Sequence, residues 1–151
     1  MKHILFVCTG NSCRSVMAEG LFRKRVEDRL DDFSVSSAGV GAIEGMSATP
    51  ETIQAMSEEG VDVSEHRSQR LTPERVREAD EIFVMERIHR DWVLRLVPEA
   101  GAKVHLLTEY ASPDNRAQDI DIPDPIRMSG HFYKNVLSVI RDCVENIADE
   151  L

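Results

Sequence analysis

Cys8-Thr9-Gly10-Asn11-Ser12-Cys13-Arg14-Ser15 sets a thiol and a guanidinium at the two ends of a run of small, mostly polar residues, in the pattern C-x5-R-S. Such a run turns its backbone N–H groups inward into a nest for an anion, with Gly10 easing the turn. A helix starting near Arg14 adds the positive end of its dipole. The planar fork of Arg14 grips two oxygens of a phosphoryl group. Every neighbour favours the thiolate of Cys8, and Ser15 is placed to hydrogen-bond the sulfur. The expected chemistry is nucleophilic attack on phosphorus, with the transferring oxygens already surrounded by donors.

Cleaving a P–O or P–N bond near neutral pH needs a proton for the leaving group. The segment Asp119-Ile120-Asp121-Ile122-Pro123-Asp124-Pro125 offers three carboxyl groups. Asp124 is the best placed because a proline on each side restricts its loop. Read alone, Asp124 is an ordinary turn residue, since Asp-Pro commonly opens a turn.

These residues need a frame. Ile4-Leu5-Phe6-Val7 is a continuous apolar run and predicts a strand buried on both faces, ending at Cys8. Ala18, Phe22, Val26 and Leu30, spaced by four, predict the buried face of a following helix. Phe33 to Ser36 alternates as a half-exposed strand does, and Gly39 to Gly45 reads as a flexible connector and pocket wall. Thr49-Pro50-Glu51 and Thr72-Pro73-Glu74 are helix starts, the first helix ending near Gly60. Ile82 to Met85 and Val104 to Leu107 are further apolar strands, with Trp92, Leu94, Leu96 and Val97 in the helical stretch between them. After a polar loop from about Ser112 to Gly130, a last helix carries Phe132, Val136, Ile140, Val144, Ile147 and Leu151. Strands alternating with helices predict a mostly parallel sheet with helices on both faces, in one domain spanning 1–151. Ligands of such sheets bind beyond the carboxyl ends of the strands, which is where Cys8 falls.

Composition excludes several classes. The chain has 151 residues, 42% hydrophobic and 30% charged, with a formal net charge of −9. That acidity argues against nucleic acid or an anionic membrane as a partner. No apolar run approaches the roughly 18 residues needed to cross a bilayer, and Ile4 to Val7 is too short for a signal peptide, so a cytoplasmic protein is expected. Three cysteines do not make a disulfide scaffold. Cys143 lies on the apolar face of the last helix and reads as core, whereas Cys13 is either a small buried residue or a partner for oxidised Cys8. The histidines show no metal-ligand spacing, so neither metal nor cofactor is expected. Gly39-Val40-Gly41-Ala42-Ile43-Glu44-Gly45 misses the dinucleotide fingerprint because its third glycine comes one residue late.

V-C-T-G-N-S-C-R-S followed by M-A-E resembles the low-molecular-weight protein tyrosine phosphatase family, including its bacterial protein-arginine phosphatase branch. Ser36-Ser37-Ala38-Gly39, His66-Arg67-Ser68 and Asp124-Pro125 extend the likeness along the chain. The resemblance implies a three-layer αβα fold with a four-stranded parallel sheet in a flavodoxin-like layout, and double displacement through a phosphocysteine without a metal. It makes Cys8 the nucleophile, Arg14 the phosphate clamp and Asp124 the general acid. The backbone from Thr9 through Gly10, Asn11, Ser12 and Cys13 to Ser15 becomes the rest of the cradle. Asn11, Ser15, Ser37 and His66 become the network bracing it. The implied partners are a phosphorylated protein substrate, with inorganic phosphate or other oxyanions as product or inhibitors.

The sequence departs from the tyrosine-specific pattern at two positions. Ser12 stands where those enzymes usually carry a bulky aliphatic residue, and Ile126 where they carry an aromatic one. A ring at the pocket mouth stacks on phosphotyrosine, a contact adding about 0.5–1.5 kcal/mol beyond area burial; Ile126 keeps only the apolar part. The arginine branch has threonine at the Ser12 position, nearer to serine but carrying a methyl. The expected substrate is a phosphotyrosine protein or other aryl phosphate, with phosphoarginine as the alternative. A thiol-dependent arsenate reductase is a further alternative, though Cys13 and Cys143 make an incomplete disulfide relay. A phosphate sensor without catalysis would lack Asp124.

Overall fold

The computed structural model describes residues 1–113, 120–126 and 128–151. Four strands, β1 (Lys2–Cys8), β2 (Phe33–Gly39), β3 (Glu81–Val84) and β4 (Val104–Leu106), form one sheet in the order β2-β1-β3-β4. Every pairing is parallel. The helices are α1 (Arg14–Arg25), α2 (Pro50–Glu58), α3 (Pro73–Glu78), α4 (Arg87–Leu96) and α5 (Gly130–Glu150). This is the flavodoxin-like α/β layout.

The apolar run of β1 divides between two cores by the period of two of an extended strand. Ile4, Phe6 and Cys8 join the core beneath α1 and α5; Leu5 and Val7 join the one beneath α3 and α4. β3 divides likewise, Phe83 going with Phe6 and Ile82 and Val84 going with Leu5 and Val7. Phe6 packs on Phe22 and Phe83 with ring centroids 5.9 and 5.7 Å apart. α5 closes the first core with Tyr133, Val136, Leu137, Ile140, Cys143, Val144, Ile147 and Ala148, the larger aliphatic side chains contributing about 1.5–3 kcal/mol each. The sheet order reverses direction at β1, so the crevice of the fold opens at the carboxyl end of that strand.

The helix starts at Thr49-Pro50 and Thr72-Pro73 are present. Each threonine hydroxyl accepts from the backbone N–H three residues on, and each proline fills the first helical position.

Two expectations need correction. α1 stops at Arg25, so Leu30 leaves its apolar face, falls in a 3-10 turn over Glu27–Asp32 and is 45% exposed. Trp92 lies in α4 as expected, partly exposed, with the Arg95 guanidinium stacked over its ring at 5.1 Å. The supposed flexible connector after Gly39 is pinned at many points. Val40 N–H donates to Cys8 O, Gly41 N–H to Thr9 O and Gly45 N–H to Ser68 O, while Glu44 accepts from Arg70 N–H.

Candidate active site

The parallel sheet delivers Cys8 at the carboxyl end of β1, buried on the α1 side, and the chain then turns through Thr9 to Cys13 into α1. The turn is taken by Asn11, whose φ of +53° is the left-handed conformation that asparagine tolerates best among side-chain-bearing residues. Gly10 has no such requirement; a Cβ there would meet Ser12 Oγ at an ordinary 3.4 Å. The tight glycine is Gly39, at the end of β2. A Cβ at that position would stand 2.5 Å from Thr9 O and 2.8 Å from Asn11 N.

Around the sulfur, Asn11 N–H donates to Cys8 Sγ at 3.2 Å and Ser15 Oγ lies 2.9 Å away. Asn11 is the hub of the support. Its Nδ2 donates to Ser15 Oγ (2.8 Å) and Ser37 Oγ (2.9 Å), and its Oδ1 accepts from Gln69 N–H (2.9 Å). Its carbonyl is met at 2.8 Å by both His66 Nε2 and Ser68 Oγ. Ser37 Oγ donates onward to Glu19 at 2.6 Å. Thus the polar groups of Asn11 all have partners, and its ring of neighbours comes from β2, α1 and the segment after α2.

Arg14, the largest fully buried side chain, is held from behind. Its Nη1 donates to Glu86 Oε2 at 2.6 Å and to Ile122 O at 2.7 Å. Its Nη2 faces Thr9 Oγ1 (3.4 Å) and Asp124 Oδ2 (3.8 Å). One edge of the fork is therefore anchored while the other faces the crevice.

The three candidate carboxyl groups separate clearly. Asp124 is half-exposed beside Arg14, its Oδ1 accepting from Ile126 N–H at 3.0 Å. Asp121 is occupied by Arg87, through the backbone N–H at 2.8 Å and the guanidinium at 3.2 Å, and these contacts lower its pKa although burial opposes them. Asp119 lies outside the described residues. Ile126 is exposed. Ser12 is half-buried, and its carbonyl accepts from Thr49 N–H at 3.1 Å. Cys13 Sγ lies 3.5 Å from Thr49 Oγ1 and 3.7 Å from Tyr133 OH. Burial pushes Tyr133 up to about 12.

Sequence reasoning missed Glu86, His89, Ser68 and Gln69. A usable signal existed for the first two: Glu86-Arg87-Ile88-His89 directly follows the apolar run Ile82–Met85, and so comes out at the same end of the sheet as Cys8.

A family model described as low molecular weight phosphotyrosine protein phosphatase matches residues 3–151. The chain belongs to the low-molecular-weight phosphotyrosine protein phosphatase family. It is accordingly a cysteine-dependent protein phosphatase. The chain is 37% identical to a probable low-molecular-weight protein-tyrosine-phosphatase, EpsP of Ralstonia solanacearum, over 96% of this chain and 92% of that one. It is 33% identical to the protein-arginine-phosphatase of Geobacillus stearothermophilus, over 98% and 95%. Among solved structures, it superposes with a TM-score of 0.88 on the YwlE arginine phosphatase, a cysteine-to-serine mutant with a phosphorylated active-site serine, at 32% identity over 99% of this chain and 95% of that one. Low-molecular-weight phosphatases of both named specificities thus resemble the chain to similar degrees.

Proposed function

We propose that this phosphatase hydrolyses phosphotyrosine in proteins, and aryl phosphates generally, through a phosphocysteine on Cys8 with Asp124 as general acid and base. The observation that carries the reading is the alignment along the crevice. A sulfur with two hydrogen-bond partners lies at its floor, and an anchored guanidinium at its wall has its Nη2 3.8 Å from the Asp124 carboxylate. The loop amides from Thr9 to Ser15 cradle the phosphoryl oxygens and Arg14 Nη2 clamps them. The Cys8 thiolate attacks phosphorus, the P–O bond to the leaving group breaks, and Asp124 gives its proton to the departing oxygen. The Asp124 carboxylate then takes a proton from water as that water attacks phosphorus. The S–P bond breaks, releasing phosphate and the thiolate.

A second reading, phosphoarginine as substrate, is favoured by Ser12, whose hydroxyl can hydrogen-bond a guanidinium-side group where the tyrosine enzymes carry an aliphatic side chain. The arsenate-reductase alternative is weakened by Cys143, buried in the core beneath α5 and so unsuited to an outward relay. We read residues 1–151 as one phosphatase unit working in the cytoplasm on phosphorylated protein and not on nucleic acid. Among the described residues no helix is long and apolar enough to cross a membrane.

The test compares steady-state turnover of phosphotyrosine and phosphoarginine peptides by the native chain and by Ser12→Ile. Faster turnover of the tyrosine peptide supports the first reading, and the reverse order overturns it in favour of the second. Asp124→Ala should lose p-nitrophenyl phosphate turnover while still binding phosphate. Hydrolysis by Cys8→Ser at the native rate would remove the covalent mechanism.

A further inference from the structure

His89 lies in the first turn of α4, is fully buried, and meets the phosphate loop at the hydroxyl oxygen of Thr9. The protonation state of its ring follows from geometry. The backbone N–H of Glu86 donates to Nδ1 at 3.0 Å, and a backbone N–H can only donate, so Nδ1 holds a lone pair. A proton there would point at another proton. The ring is therefore neutral with its hydrogen on Nε2, which lies 2.8 Å from Thr9 Oγ1 and donates to it. Burial first, and then the Arg14 guanidinium, push His89 down to about 4 against the opposing pull of Asp121 and Asp124. Glu86, whose Oε2 lies 3.7 Å from Nε2, is already engaged by Arg14.

Thr9 Oγ1 thus accepts from His89, and it also accepts from Arg14 Nη2 at 3.4 Å. A hydroxyl has two acceptor lone pairs and one proton. With both lone pairs facing donors, the remaining direction belongs to the O–H. Thr9 is exposed, and its oxygen sits beside the same guanidinium nitrogen that faces Asp124, so the proton points into the crevice where the phosphoryl group is held. Building on the phosphatase reading above, we infer that the Thr9 hydroxyl is a substrate-contacting donor to a phosphoryl oxygen, and that His89 is the positioning residue that forces it to donate. A hydroxyl arranged this way cannot accept from a cationic leaving group. Its contribution is therefore the same on aryl phosphates and on phosphoarginine.

The experiment measures kcat/KM and competitive inhibition by inorganic phosphate for Thr9→Val, Thr9→Ser, His89→Ala and the double variant Thr9→Val/His89→Ala. One hydrogen bond to a charged oxygen predicts a loss of about ten- to a hundredfold in kcat/KM for Thr9→Val, with weaker phosphate inhibition and equal factors on both substrate classes. Thr9→Ser should recover most of it. His89→Ala should also lose activity, yet cost less than about twofold more in the Thr9→Val background, because it acts through the missing hydroxyl. A purely structural role for His89 would multiply through both backgrounds instead and would overturn the positioning claim. If His89→Ala fails to fold, Thr9→Val against Thr9→Ser still decides the donor claim, since Thr9 is a surface residue. Thr9→Val working at the native rate, or losing activity on one substrate class alone, overturns this proposal while leaving the phosphatase reading intact. A native chain that neither hydrolyses p-nitrophenyl phosphate nor binds phosphate would overturn both.

Discussion

Glu86 Oε2 lies 2.6 Å from Arg14 Nη1, joining a residue at the start of α4 to one at the start of α1 across 72 positions of sequence. With Ile122 O at 2.7 Å on the same nitrogen, the pair fixes the guanidinium plane and leaves the other edge facing the crevice. Arg14 is only 2% exposed, so removing Glu86 leaves a buried charge without its nearest counter-ion. Glu86→Ala should cost about 1–3 kcal/mol of stability and weaken phosphate inhibition by about tenfold or more through loss of a charged hydrogen bond. Urea denaturation and inhibition kinetics check both; unchanged phosphate affinity would show that Glu86 does not orient the clamp.

The Asn11 side chain holds Ser15, Ser37 and Gln69 together from inside the loop. Asn11→Ala strands buried polar groups and puts alanine at φ +53°, so a loss of about 2–4 kcal/mol is expected. Activity should fall with it even at temperatures where circular dichroism shows an intact fold, because Asn11 N–H to Cys8 Sγ depends on the same turn.

Gly39 is required by approach distance. Alanine there drives a Cβ into the backbone of Thr9 and Asn11, neither of which can yield without moving the loop around Cys8. Gly39→Ala should lower stability by about 1–3 kcal/mol through overpacking and abolish most activity. Gly41→Ala, whose Cβ would be 3.9 Å from the nearest atom, is the matched control and should stay near native in melting temperature.

Stability should depend on pH through His89. Its native value of about 4 lies below the ordinary 6.5, so the unfolded chain takes up the proton first as pH falls. The contribution is complete above roughly pH 6.5 and is lost progressively toward pH 4, in total about 3 kcal/mol. The difference in urea midpoint between the native chain and His89→Gln should shrink across that window. A constant difference from pH 8 to 4 would contradict a neutral buried ring.

Cys143 faces the core beneath α5, where burial pushes it up to about 12. Iodoacetamide should leave it unmodified in the folded protein and react with it only after denaturation. Inorganic phosphate should protect Cys8 and have no effect on Cys143. Mass spectrometry of the alkylated peptides distinguishes the two thiols.

Local chemistry was readable without a structure. The apolar run ending at Cys8 announced a strand buried on both faces, Arg14 opens α1 as its position suggested, and the two Thr-Pro starts cap α2 and α3. Leu30 was misplaced because spacing by four continues on paper after the backbone has turned, α1 ending at Arg25. The Gly39–Gly45 stretch was misjudged because composition reports the freedom of a chain and says nothing of the hydrogen bonds that remove it.

Residue order alone therefore determined the loop from Cys8 to Arg14, the strand that carries it and the helix that follows, since each rests on short-range periodicity and turn chemistry. Only the assembled sheet decided that Glu86 anchors Arg14, that His89 meets Thr9 and that Ser68 and Gln69 close around Asn11. Periodicity records which face of an element is buried but not which distant segment arrives there. Placing β3 beside β1 in parallel register is what brings the end of one strand to the loop after the other.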